Sequence, residues 1–186
     1  MRWLAAACMI ILLFTLAGTA NAVNVSEKPG HFDITYTTGT PDNRDDAALL
    51  NTLEEAYAYV NGCFGTCPDH VEVIIVDDKA MDKVGGQVDS FSAWNKLISA
   101  IVFRQKTLKD NASLTVLAGH ELTHLAINEI LCKKDPTEFH WMEEGICTVI
   151  SKEPLNDAIV SQYIVGHGFL DTGEIPDAIK NENCTV

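Results

Sequence analysis

Apolar and polar residues follow two rhythms along this chain, one of period two and one of helical period, and together they outline its elements. Phe32, Ile34 and Tyr36 alternate with Asp33, Thr35 and Thr37, the pattern of a half-buried strand. Pro41-Asp42-Asn43 reads as a helix start. Leu49, Leu53, Ala56, Tyr57 and Val60 then recur at helical spacing up to Gly62, where the helix is expected to stop. Val71 to Val76 is a β-branched run ending in Asp77-Asp78, a buried strand followed by a turn. A helical turn is expected near Ala80 to Val84, ahead of Gly85-Gly86. Ser90 to Trp94 and Leu97 to Phe103 are strand candidates joined by Asn95-Lys96 as a hairpin. Asp110, Asn111 and Ser113 offer N-caps, and from Leu114 the spacing predicts a helix through Ile130 or Leu131, with Leu114, Ala118, Leu122 and Leu125 on its buried side. A polar loop, Lys133 to Thr137, separates it from a further helix over Trp141 to Ser151. The remaining tail alternates short helical stretches with Gly166, Gly168, Gly173 and Pro176, and neither repeats nor low-complexity tracts occur.

With 186 residues the chain has room for one domain with a real core. Its first 22 residues carry the marks of a secretory signal: Arg2, an apolar run from Leu4 to Leu16, and Ala20-Asn21-Ala22 as a small-residue cleavage site. The apolar run is shorter than the roughly 20 residues a membrane span needs, and no later segment reaches that length. Cys8 lies within the run rather than after it, which argues against lipidation. The expectation is a mature domain over 23–186 in the periplasm or outside the cell. Loss of Arg2 leaves 12 basic against 26 acidic residues, changing the formal charge from −13 to −14. Nucleic acid is an unsuitable partner for so acidic a chain, because phosphate binding needs a basic surface. Export permits disulfides, and Cys63 and Cys67, four apart in a Gly/Pro turn, are expected to bridge. Cys132, Cys147 and Cys184 remain, an odd number in all, with Cys184 expected to pair with Cys132 or Cys147. Asn111-Ala112-Ser113 and Asn183-Cys184-Thr185 are formal glycosylation sites.

The chemistry concentrates in His120-Glu121-Leu122-Thr123-His124. Residues four apart lie on one helix face, so both imidazoles can aim at one metal ion, the two-histidine platform that zinc uses. Glu121 is then placed to reach a water at the metal rather than the metal itself, and to take its proton. Such a motif arises by chance in a chain of this composition about once in a hundred times, so its setting has to carry it. The setting is an otherwise apolar stretch, where two unpaired imidazoles would be costly. A catalytic zinc takes three protein ligands plus water. Glu138, His140, Glu143 and Glu144 are the nearby candidates for the third.

Trp141-Met142-Glu143-Glu144-Gly145 resembles the second signature of the gluzincin metallopeptidases, Trp-x-x-Glu-Gly, in which the glutamate is the third zinc ligand on a second helix. The resemblance points to Glu144. The eighteen-residue spacing common in aminopeptidases of this kind would select Glu143 instead. The order of elements over 32–151 is also similar to the peptidase MA-like domains: strand, helix, strand, hairpin, two-histidine helix, glutamate helix. The resemblance implies an α+β fold, a small thermolysin-like (zincin) catalytic domain whose mixed, mostly antiparallel sheet carries an active-site helix and a following glutamate helix. It further implies Zn2+ as cofactor, a peptide or protein substrate aligned along the hairpin Ser90 to Phe103, and water attack on a peptide carbonyl with Glu121 as general base. Tyr163 and His167 are the downstream candidates for an oxyanion donor, though neither matches a family motif. The aspartate that thermolysin-like enzymes place four residues after the ligand glutamate is here Thr148, which puts the orientation of the histidines in doubt.

The competing expectation is a zinc-binding module of the same fold that is latent or catalytically idle. Retention of Glu121 argues against it, since a structural zinc needs no base and more often has four protein ligands. Only about 40 residues follow Glu144, too few for the helical lobe of thermolysin-like relatives, and a tail thiolate from Cys184 is one way to block such a site. The oligomeric state and the choice between endo- and exopeptidase are left open by the sequence.

Overall fold

The structure, a computed structural model, describes residues 24–25, 30–37, 46–84, 88–95, 97–131 and 140–154, with the backbone alone at 24, 25, 140 and 141. Strands β1 (Asn24–Val25), β2 (Phe32–Tyr36), β3 (Val71–Val76), β4 (Ser90–Trp94) and β5 (Ser99–Arg104) form one sheet in the order β1-β2-β3-β5-β4. The helices are α1 (Asp46–Phe64), α2 (Asp78–Val84), α3 (Asn111–Ile130) and α4 (His140–Ser151), with a 3-10 turn at Gln105–Lys109. The fold is α+β with a mixed sheet, but the sheet is not mostly antiparallel. Its central pairs, β2 with β3 and β3 with β5, are parallel, and only the outer pairs are antiparallel. The reason is connectivity: α1 carries the chain back to the start of the sheet between β2 and β3, as a parallel pair requires, whereas β4 and β5 are joined by a tight turn.

β3 is central, and its register explains its nearly unbroken apolar sequence. Val71, Val73 and Ile75 face the main core with Ile34, Ile101 and Phe103, against α1 and α3. Ile74 and Val76 face the other way, onto Met81 of α2 and Val102. A strand buried on both faces reads as a continuous run rather than an alternation. On that second face Arg104, itself buried, reaches Asp82 at 2.8 Å and Asp78 at 3.4 Å and ties α2 to β5.

Several boundaries differ from expectation for identifiable reasons. α1 continues past Gly62 to Phe64, and Gly65 stops it: with φ of +71° its amide donates to the Asn61 carbonyl at 2.7 Å, a left-handed cap that suits glycine. The residues expected to open this helix, Pro41-Asp42-Asn43, lie outside the described residues. β5 starts at Ser99 rather than Leu97 because the Asn95 side chain accepts from the amides of Leu97 at 2.7 Å and Ile98 at 2.9 Å. α2 starts at Asp78 because Asp77 caps it, accepting from Ala80 at 2.7 Å. α3 starts at Asn111, three residues ahead of Leu114: Asp110 is its N-cap, accepting from the Ala112 amide at 3.1 Å and the Ser113 hydroxyl at 2.6 Å.

The expected Cys63–Cys67 bridge is not formed. The two extra residues of α1 leave Cys63 on an exposed helix surface, while Cys67 turns into the main core, and both are free thiols. Cys147 is also a free, buried thiol, while Cys132 and Cys184 lie outside the described residues. No described helix is long and apolar enough to cross a membrane.

Candidate metal centre

α3 runs beneath the sheet with Leu114, Ala118, Leu122 and Leu125 in the main core. That orientation turns His120, Glu121 and His124 toward α4 and the edge strand β4. α4 lies along α3 and comes closest at Gly119, where a Cβ would stand 3.4 Å from the Ser151 backbone. A small residue at 119 therefore lets the last turn of α4 reach the level of His120.

The two histidines and Glu144 converge. Their Nε2 atoms are 3.2 Å apart, and the Glu144 carboxylate oxygens stand 3.3 Å from that of His120 and 3.5 Å from that of His124. The outer nitrogens are held by other carboxylates. Glu143 sits 2.8 Å from His124 Nδ1, and Glu153 contacts His120 Nδ1. A carboxylate only accepts, so each Nδ1 carries a hydrogen, and in the neutral form of each ring Nε2 is left with a lone pair turned toward its neighbour and toward Glu144. Three acceptors facing one point repel one another unless protons or a metal ion stand between them. Tetrahedral coordination with zinc–nitrogen bonds of about 2.0–2.1 Å separates ligand atoms by about 3.3 Å, the spacing seen here. The donor set, two imidazoles and a carboxylate with their outer nitrogens braced, fits zinc.

Titration behaviour agrees with this demand for positive charge. Burial alone would push His120 and His124 down. Carboxylate contacts reverse it: Glu144 above all raises His120, with Glu121 and Glu153 adding to it. His124 is pushed up to about 12 by the Cys147 sulfur, Glu143 and Glu144. Glu144 is held well below the usual carboxylate range because its hydrogen bonds to the two imidazoles outweigh its burial.

Glu121 stands apart from the triangle. It is buried, and the Ser90 hydroxyl at the start of β4 donates to its Oε1 at 2.7 Å. Burial pushes its pKa up, and the Ser90 hydrogen bond and the nearby imidazoles offset only part of that. A carboxylate so placed is a stronger base than an exposed one.

Glu153 reaches His120 through an identifiable turn. Lys152 has φ of +59°; its amide donates to the Val149 carbonyl at 3.4 Å and that of Glu153 to Thr148 at 3.1 Å. This is a Schellman motif, which closes α4 and turns the chain back toward α3. The Lys152 ammonium rests over the Tyr59 ring, 4.7 Å from its centroid. So the histidine brace absent at Thr148 is supplied five residues later. Cys147 lies one turn beyond Glu143 on α4, fully buried, with its sulfur and the two imidazole nitrogens all within 4.8 Å of one another. Burial pushes that thiol up to about 11.

The structure thus brings together His120, Glu121, His124 and Glu144, and it places Glu144 rather than Glu143 on the Nε2 side. Tyr163, His167 and Glu138 lie outside the described residues, as does the side chain of His140. Glu153, Ser90 and Cys147 had no part in the site read from the sequence, where Cys147 was a disulfide candidate. Only Cys147 had a signal there, because 143, 144 and 147 share a helix face. A second group, Asp33, His70 and Glu72, lies on the surface with separations of 3.3–3.4 Å and none of this burial.

Compared with known proteins, the chain matches no family model and no curated protein.

Proposed function

We propose that this chain is an exported zinc metallopeptidase of gluzincin type, built as a small thermolysin-like domain, with His120, His124 and Glu144 as metal ligands and Glu121 as general base. The observation that carries the reading is the triangle of two Nε2 atoms and the Glu144 carboxylate at 3.2–3.5 Å. The placement of Glu121 between that triangle and the edge strand supports it further. Zinc held there would supply Lewis-acid polarisation of a scissile carbonyl and make water a nucleophile near neutral pH. Glu121 takes the proton of the attacking water and returns it to the departing amine. Ser90, hydrogen-bonded to Oε1, holds the carboxylate in place. β4 is an edge strand with β5 as its one partner strand among the described residues, and its Ser90 touches Glu121, so an extended peptide can add alongside it. Tyr163 or His167 would supply the oxyanion donor.

The test combines metal content with cleavage of a mixed peptide library. Wild type is expected to carry near-stoichiometric zinc and to cleave. Glu144→Ala should lose the zinc, and Glu121→Gln should keep it while losing cleavage by about 10²- to 10⁴-fold. Glu143→Ala should still bind, more weakly. Zinc without cleavage, in wild type and equally in a variant lacking the neighbouring Cys147 thiol, would leave a binding module instead. Absence of zinc from the wild-type protein would sink both readings.

A further inference from the structure

The metal reading above leaves one donor at the site without a task. Cys147 sits on the same face of α4 as Glu143 and Glu144, one helical turn further on, and its side chain is fully buried. The Glu144 side chain is 43% exposed and that of Cys147 is buried, so the carboxylate lies toward solvent and the thiol toward the interior. The cysteine sulfur lies within 4.8 Å of ring nitrogens of both His120 and His124. In a tetrahedral zinc site with a zinc–sulfur bond of about 2.3 Å, sulfur and nitrogen ligands stand about 3.6 Å apart. The separations here exceed that by at most about 1.2 Å, a gap that a rotation of the cysteine side chain can close.

We infer that the Cys147 thiolate is a fourth protein donor to the metal held by His120, His124 and Glu144, closing the centre in its resting state. The step balances simply. The Cys147 S–H bond breaks, a sulfur–metal bond forms, and one proton leaves to solvent. The resulting set of two nitrogens, one oxygen and one sulfur favours zinc over magnesium, calcium or manganese, for which a thiolate is too soft. It also sets the condition for catalysis: water gains its position only when Cys147 gives it up. The inhibitory thiol then comes from the glutamate helix itself, and the chain's tail is not needed to block the site.

This inference rests on the metal reading, and the test separates the two. X-ray absorption at the zinc edge of the zinc-loaded full chain needs no variant. One sulfur at about 2.3 Å together with nitrogen and oxygen ligands is the expected result. Cobalt-substituted protein should show a thiolate charge-transfer band that disappears in Cys147→Ser and in Cys147→Ala and survives in Cys63→Ser. Zinc affinity in the Cys147 variants should fall by at least the tenfold to about hundredfold that loss of an outer partner costs. Cleavage in those variants, once saturated with zinc, should rise. Zinc bound through nitrogen and oxygen alone would overturn the inference and leave the metal reading standing. A sulfur signal that persists in the Cys147 variants and is lost in Cys132→Ser or Cys184→Ser would overturn it too. A wild-type chain that takes up neither metal would overturn the metal reading and this inference with it.

Discussion

Glu153 is the residue whose removal tests the centre most sharply, because it touches His120 only through the turn that ends α4. In Glu153→Ala, His120 Nδ1 loses its acceptor, and the ring is no longer fixed with Nε2 toward the proposed metal site. Loss of such a partner weakens metal binding about 10- to 100-fold, or about 1.4–2.7 kcal/mol. Glu153→Gln keeps an acceptor oxygen without the charge and should fall near the lower end of that range. Lys152 gives a second handle on the same contact. Its left-handed backbone costs a side-chain-bearing residue about 1–2 kcal/mol, so Lys152→Gly should keep the turn and the zinc affinity. A β-branched residue there, Lys152→Val, should open the turn and weaken zinc binding toward the Glu153→Ala level although Glu153 is still present. The assay is competition with a chromophoric chelator, with circular dichroism to show that the fold persists. Zinc affinity in Glu153→Ala within twofold of wild type would refute the claim that this turn positions His120.

Zinc affinity should rise with pH, because the imidazoles hold protons more firmly here than in solution and the metal must displace them. Each proton displaced gives about tenfold per pH unit, and a flat profile in titrations from pH 5 to 8 would contradict it. In the zinc-free protein the sign reverses. The raised His124 pKa stabilises the fold fully below its unfolded value of 6.5 and progressively less as pH rises toward about 12, which denaturant titrations can follow. Native alkylation followed by mass spectrometry should label Cys63 readily and spare Cys67 and Cys147, whereas a Cys63–Cys67 bridge would leave Cys63 unlabelled. Gly119→Ala should be tolerated, since the added Cβ meets Ser151 at ordinary contact distance and a helical alanine gains about 0.5–1 kcal/mol over glycine. Gly119→Val should push α4 outward and lower zinc affinity, and equal affinity in both variants would argue against this close approach.

What the sequence determined is whatever depends on local periodicity. The helical spacing of His120 and His124 puts both on one face wherever that helix lies. The apolar run at Val71 to Val76 marks a buried strand, and the stretch from Asp110 marks a capped helix, because these patterns act within a few residues. What only tertiary structure decided depends on the distance between elements. Glu143 and Glu144 are equivalent as neighbours in sequence. The crossing of α4 over α3 at Gly119 turns one to an Nδ1 and the other to the Nε2 pair. Glu153 lies 33 residues from His120, and no spacing rule links them; a left-handed residue at Lys152 does. The parallel centre of the sheet likewise follows from where α1 returns the chain, and a strand's own residues do not record the direction of its neighbour. The Cys63–Cys67 pairing failed for the same reason: four residues of separation suggested a bridge, and two further residues of helix sent one thiol to solvent and the other into the core.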